Sequence, residues 1–217
     1  MNRVRVLIAE DHDTVREGLR LILTAQSDID VVGEAGDGRS AIEQAKKLEP
    51  DVVLMDVSMP QLNGLKATKE LTACCPNIKV LTLTRHKDDG YLQQLLRAGA
   101  AGYVLKQSPS TELLHAIRAV AAGGRYLDPA IAGKVVGSYI AKKNNKGVSP
   151  LSEPSERESE VLRLIAWGYS NKEIATQLAL SVKTVEVHKA NGMRKLGMGS
   201  RIDLVRYAIL QGWMQET

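Results

Sequence analysis

Three carboxylates, a hydroxyl and an ammonium stand in this chain where they can act together. Glu10 and Asp11 follow the apolar run Val4–Ala9, Asp56 ends Asp51–Asp56, Thr84 ends Val80–Thr84, and Lys106 ends Gly102–Lys106. As neighbouring parallel strands, those runs bring their carboxyl ends to one rim, and the five side chains meet there. Three converging carboxylates repel one another, and a hard divalent cation resolves the conflict. Mg2+ suits oxygen ligands, retains waters in octahedral geometry and leaves positions for a phosphate oxygen. Phosphoryl transfer asks mainly for positioning and charge neutralisation, which Mg2+ and Lys106 would supply. Singly, each residue has a plainer reading, because a carboxylate at a strand end is usually a solvated cap. Five on one rim exceed what caps require.

The elements that must position them alternate. Val4–Ala9, Asp30–Ala35, Asp51–Asp56, Val80–Thr84 and Gly102–Lys106 are short and rich in Val, Leu and Ile. Helical patterns lie between them, around Val15–Leu23, Ser40–Leu48, Leu65–Ala73 and Tyr91–Ala98, with Thr111–Ala121 after the last strand. This β/α alternation predicts an α/β domain, a doubly wound five-stranded parallel sheet covered by helices on both faces. A further helix is expected over Ala130–Ala141. The run Lys142-Lys143-Asn144-Asn145-Lys146-Gly147 then breaks every periodicity, and with Pro150 and Pro154 it marks 142–154 as a linker.

Beyond the linker the pattern is all helical, and the starts are well marked. Ser155 with Glu158, Ser170 with Glu173, and Ser200 with Asp203 have the spacing of capping boxes, and Ser181 stands as a further cap. Gly168, Gly197 and Gly212 occupy helix C-terminal places. Four helices are expected, with only Leu178-Ala179-Leu180-Ser181 joining the second to the third, the short joint of a helix-turn-helix. The chain therefore divides into residues 1–124, a helix and linker over 125–154, and a small all-α domain over 155–217.

At about 100° per residue, Val182–Leu196 separates into two faces. Val185, Gly192 and Leu196 cluster on one, with His188 beside them; Lys183, Glu186, Val187, Ala190, Asn191 and Arg194 share the other. The second face suits a major groove of double-stranded DNA. Val187 or Ala190 could meet a thymine methyl, Asn191 could bond adenine, and Glu186 could accept from cytosine. Lys183, Thr184 and Arg194 suit phosphates, which fix register without reading sequence.

Bulk charge suits a nucleic-acid partner for the back half, and simple solubilising surface charge would account for it equally well. The net charge of +4 divides into −1 over residues 1–124 and +5 over 125–217. No apolar run approaches the roughly 18 residues of a membrane helix. Glu10, Asp11 and Asp13 come too early for a secretory apolar region. The only cysteines, Cys74 and Cys75, are sequence neighbours, poor material for a disulfide framework. A reduced, cytoplasmic location is expected.

Two resemblances sharpen this reading. Through Ile8-Ala-Glu-Asp11, Leu54-Met-Asp-Val-Ser-Met-Pro60, Leu83-Thr84 and Gly99-Ala-Ala-Gly-Tyr-Val-Leu-Lys106, residues 1–124 resemble a response-regulator receiver. The resemblance implies that Asp56 is the phosphoacceptor and that Glu10, Asp11, Asp56 and the Ser58 carbonyl surround Mg2+. Thr84 would then bond the phosphoryl group, Lys106 would pair with it, and Tyr103 would be the switch aromatic. Through Arg157-Glu-Ser-Glu-Val-Leu162, Gly168-Tyr-Ser-Asn-Lys-Glu-Ile-Ala175, Ser181-Val-Lys-Thr-Val-Glu-Val-His188 and Lys195-Leu196, residues 155–210 are similar to the LuxR-type helix-turn-helix. Together they resemble the NarL/FixJ group of two-component regulators.

That group implies a sensor histidine kinase as phosphodonor and a homodimer when phosphorylated or on DNA. The last helix, about Arg201–Gln211, would form the contact through Ile202, Val205 and Ile209. The chain would accept phosphate stoichiometrically and is not expected to be a turnover enzyme. Four positions depart from the patterns. Glu10 replaces the more frequent Asp, Gln107 follows the lysine where many receivers have Pro, and Pro154 replaces an apolar residue. Gly192 takes a core place that is normally a large aliphatic, so Gly192→Ile is expected to raise the melting temperature of the C-terminal domain.

Other functions remain open at this point. A Mg2+-dependent phosphatase would use Asp56 as nucleophile, but generally needs a second Asp where Ser58 stands. A small-molecule sensor on the same DNA-binding domain would leave the acidic cluster unexplained. A degenerate receiver would work without phosphate, despite an intact acceptor, hydroxyl and lysine.

Overall fold

Strands covered on both faces have no polar side, and the N-terminal strands are buried along most of their length for that reason. The structure is a computed structural model describing residues 3–85, 89–132, 154–211 and 213–214. The described residues fall into two compact units, one on a sheet and one of helices.

In the first, β1 (Val4–Ala9), β2 (Ile29–Ala35), β3 (Val52–Asp56), β4 (Lys79–Thr84), β5 (Gly102–Leu105) and β6 (Tyr126–Leu127) form one parallel sheet in the order β2-β1-β3-β4-β5-β6. The connections run outward in opposite directions from β1 and β3, so the crevice of this doubly wound sheet opens at their carboxyl ends. The helices are α1 (Asp13–Thr24), α2 (Gly38–Leu48), α3 (Gly64–Cys74), α4 (Asp89–Arg97) and α5 (Ser110–Ala121). Alternate residues of β1 feed opposite cores. Val6 and Ile8 pack with Leu19 and Leu23 of α1 and Leu113 and Ile117 of α5. Leu7 and Ala9 pack with Ala41 and Ile42 of α2 and Leu71 of α3.

The sheet has a sixth strand where five were expected. β6 is two residues long, pairing Tyr126 with Gly102 and Leu127 with Tyr103. Two residues cannot establish an alternation, so no sequence period announces them. The helix expected over Ala130–Ala141 lies outside the described residues beyond 132, and so does the linker except for Pro154.

The second unit comprises α6 (Glu156–Ala166), α7 (Asn171–Gln177), α8 (Val182–Leu196) and α9 (Arg201–Leu210). All three capping boxes form: Ser155 with Glu158, Ser170 with Glu173, and Ser200 with Asp203. Ser181 accepts from the Thr184 amide at the start of α8. Gly168 and Gly197 take φ of 107° and 71°, the left-handed conformation that glycine adopts most cheaply. Gly212 lies outside the described residues. Val161, Leu162 and Ile165 of α6 pack with Ile174, Val185, Leu196, Leu204 and Ala208.

Gly192 is buried beside this core as expected, but no space waits for an aliphatic there. A Cβ on it would stand 2.8 Å from Leu162 Cδ1 and 3.4 Å from Glu158 Cβ. Leu162, reaching across from α6, already fills the place. The expected stabilisation by Gly192→Ile therefore requires Leu162 to give way, and the contact argues against it.

Among the described residues no helix is long and apolar enough to cross a membrane. Cys74 and Cys75 are both free thiols.

Candidate functional site

β1 and β3 are adjacent, so Glu10, just past β1, and Asp56, the last residue of β3, come to the same edge. Both are buried, with relative exposures of 0% and 1%, while Asp11 is partly open. Lys106, just past β5, reaches over β4: its Nζ lies 2.5 Å from Glu10 Oε2 and 3.0 Å from Asp56 Oδ2. The Lys106 ammonium and the Ser58 backbone amide are the favourable polar neighbours of the Asp56 carboxylate, and neither makes a well-aligned hydrogen bond to its oxygens. Burial pushes the Asp56 carboxyl above the ordinary carboxylate range; the Lys106 charge opposes this and the Glu10 charge adds to it.

Glu10 is wholly buried and its carboxylate grips Lys106. Thr84 is buried at the end of β4, one residue past the register partner of Asp56, and its carbonyl accepts from the Lys106 amide at 2.8 Å. Tyr103, on β5 opposite Thr82, is buried. Ser58 is exposed in the loop after β3.

Glu10, Asp11, His12 and Asp56 each offer a ligand atom within 4.8 Å of the others. Three carboxylates, with both oxygens of Asp56 buried and lacking a well-aligned hydrogen bond, form a donor set that suits a hard divalent cation. His12 is the member sequence reasoning missed. Its Nδ1 lies 2.8 Å from Asp11 Oδ1 and 3.1 Å from Glu10 Oε1. Adjacency to Asp11 was the only signal, and a single His before a helix has no period to distinguish it.

In the helical unit, α8 presents Lys183, Glu186, Val187, Ala190 and Arg194 exposed, with Thr184 and Asn191 half-buried. Three of these are engaged locally: the Thr184 hydroxyl lies 2.8 Å from Oγ of the cap Ser181, and Asn191 Oδ1 accepts from Arg194 at 2.9 Å. Lys195 on the inner side donates to Glu158 of α6 at 2.6 Å. Burial alone would raise the Glu158 carboxyl, but Lys195 and the Ser155 amide hold it below its ordinary value. On α9, Ile202 and Ile209 are 64% and 59% exposed and Val205 half-buried, an apolar stripe open to contact.

Comparison with known proteins agrees with both halves. Residues 6–118 match the response regulator receiver domain, and residues 153–208 match the luxR family of bacterial regulatory proteins. The chain is 44% identical over 210 residues to oxygen regulatory protein NreC of Staphylococcus aureus (strain JH9), spanning 95% of this chain and 97% of that one. It is similar to RcsB from Salmonella enterica serovar Typhimurium bound to promoter P1flhDC in the presence of phosphomimetic BeF3-. That match has 32% identity and a TM-score of 0.77, and covers 97% of this chain and 100% of that one. A structure of two RcsB dimers bound to two parallel DNAs is 30% identical, with a TM-score of 0.72 and coverage of 99% and 100%. With a receiver at one end and a luxR-type helix-turn-helix at the other, the chain belongs to the NarL/FixJ-type response regulators of two-component systems, DNA-binding regulators of transcription.

Proposed function

We propose that Asp56 accepts one phosphoryl group per chain and that the added charge shifts the chain towards a dimer bound to DNA. The observation behind this is a buried Asp56 whose two oxygens lack hydrogen bonds, held beside Lys106 at an edge with Glu10 and Asp11. The donor is the phosphohistidine of a sensor kinase, or a small acyl phosphate in its place. An Asp56 oxygen forms the new O–P bond as the donor's P–N bond breaks. The electron pair leaves with the imidazole, which takes a proton from solvent. Glu10, Asp11, Asp56 and the Ser58 carbonyl would hold Mg2+, which would supply charge neutralisation for the phosphoryl oxygens. Lys106 leaves Glu10 to pair with the new phosphoryl group, and the Thr84 hydroxyl is drawn to it. Acceptance is stoichiometric, since Ser58 offers no carboxylate to act as acid and base for turnover.

The phosphoryl group carries close to two negative charges. Tyr103, on the strand beside Thr84, moves with it, and the surface of α4 and α5 is rebuilt. Residues 1–124, extended by β6, are the receiver, and 155–217 the DNA-binding domain, joined through 125–154. In the latter, Val187, Ala190, Asn191 and Glu186 read bases while Lys183, Thr184 and Arg194 hold phosphates. Two copies meet on DNA, a reading supported by the dimers in the RcsB–DNA structure, and the exposed Ile202 and Ile209 with Val205 are the stripe proposed to join them. Two linked half-sites gain roughly 100- to 10,000-fold in affinity from effective concentration.

The test is incubation with acetyl phosphate and Mg2+ followed by intact mass. One added phosphoryl group, absent from Asp56→Asn and absent with chelator, is the expected result. Release of phosphate with continuing turnover would favour a phosphatase instead.

A further inference from the structure

The turn that carries Lys106, Leu105-Lys106-Gln107-Ser108, is bonded on both sides of the lysine by one buried side chain. Asp128 holds it. This carboxylate is only 2% exposed, and its Oδ2 accepts from the Leu105 amide at 3.0 Å and from the Ser108 hydroxyl. Leu105 and Ser108 bracket Lys106 and Gln107. The Asp128 amide donates to the Tyr103 carbonyl at 3.0 Å, continuing the β5–β6 pairing past Leu127. Its other oxygen accepts from the Ala130 amide at 2.9 Å, and its carbonyl accepts from Ile131 and Ala132. Ile131 is buried, which pins the turn that Asp128 caps. A residue serving only as a helix cap would need the Ala130 bond alone. It would have no reason to sink its other oxygen against β5.

Lysine is a flexible stem with a charge at its tip, so the tip is placed only as well as its Cα. Here the Lys106 amide is fixed by Thr84, and the flanking residues by Asp128. A catalytic group displaced by about 1 Å can lose on the order of 100-fold in rate.

We propose that Asp128 is a positioning residue for phosphoryl transfer, buried behind the β5–α5 turn to aim Lys106 at Asp56. The proposal rests on the reading of Asp56 as acceptor. It acts through Lys106 and touches no reacting atom.

The test is a double-mutant cycle on the full chain, following uptake from acetyl phosphate with Mg2+ by intact mass, well below every variant's melting temperature. Asp128→Asn is expected to slow uptake about tenfold and Ser108→Ala about threefold. In a Lys106→Ala background, Asp128→Asn is expected to add less than about twofold, because the residue it aims is gone. Uptake by Asp128→Asn at the wild-type rate overturns the proposal. So does equal slowing with and without Lys106, which would mark a purely structural role. Should Asp128→Asn not hold its fold, Ser108→Ala with and without Lys106→Ala decides by the same criterion. Failure of the acceptor reading is seen separately, as wild-type chain that takes up no phosphoryl group, and the proposal then falls with it.

Discussion

Asp56 is a buried carboxyl that the fold holds above the ordinary carboxylate range even with the Lys106 ammonium beside it. Its folded value is raised above the ordinary 3.8 by burial and by Glu10. A raised acid contributes its stability below the unfolded value and loses it as pH rises through the folded one. Asp56→Asn is thus expected to stabilise the metal-free chain at neutral pH by about 1 kcal/mol. The advantage should close as pH falls towards 3.8. Melting curves across pH check this, and Mg2+ should reverse the order, raising wild type and not the variant. Glu10, Asp11, Asp56, Thr84 and Lys106 were legible in the sequence because strand ends mark the rim of a parallel sheet. His12 and Asp128 were not. One lies before a helix without a pattern, and the other earns its burial from a two-residue strand no period reveals.

Between elements, the helical unit depends on contacts across α6 and α8. Leu162 occupies the space beside Gly192, so Gly192→Ile is expected to destabilise the chain by about 1–3 kcal/mol. Trimming the neighbour, in Gly192→Ile with Leu162→Ala, should recover part of the loss; thermal melts of the four proteins measure the coupling. The Glu158–Lys195 pair spans the same two helices, with Glu158 nearly buried. Lys195→Met leaves that carboxylate with the Ser155 amide as its remaining partner and is expected to cost about 2 kcal/mol at neutral pH. Because the Glu158 value is lowered, the pair's contribution exists above the unfolded value near 4.5 and disappears as pH falls through the folded one. The variant and wild type should therefore converge in acid. Helix starts were readable to the residue because a capping box is local chemistry. The packing of Gly192 was not: periodicity places it on the core face but says nothing of a leucine arriving from another helix.

Across the whole chain, function divides as the charge does, a mildly acidic receiver and a basic DNA-binding half. The exposed Ile202 and Ile209 are expected to matter only where two copies meet. Replacing both with Asp should weaken binding to a two-half-site duplex far more than to a single half-site, as fluorescence anisotropy would show. The most direct test of the account is a DNA titration, using duplexes selected from random sequence by the chain itself. Wild type and Asp56→Asn are compared before and after acetyl phosphate with Mg2+. A tenfold or greater gain in wild type alone is the predicted result, about 1.4 kcal/mol of coupling between Asp56 and DNA. Equal affinity in all four titrations would contradict it, leaving a DNA-binding protein that Asp56 does not control.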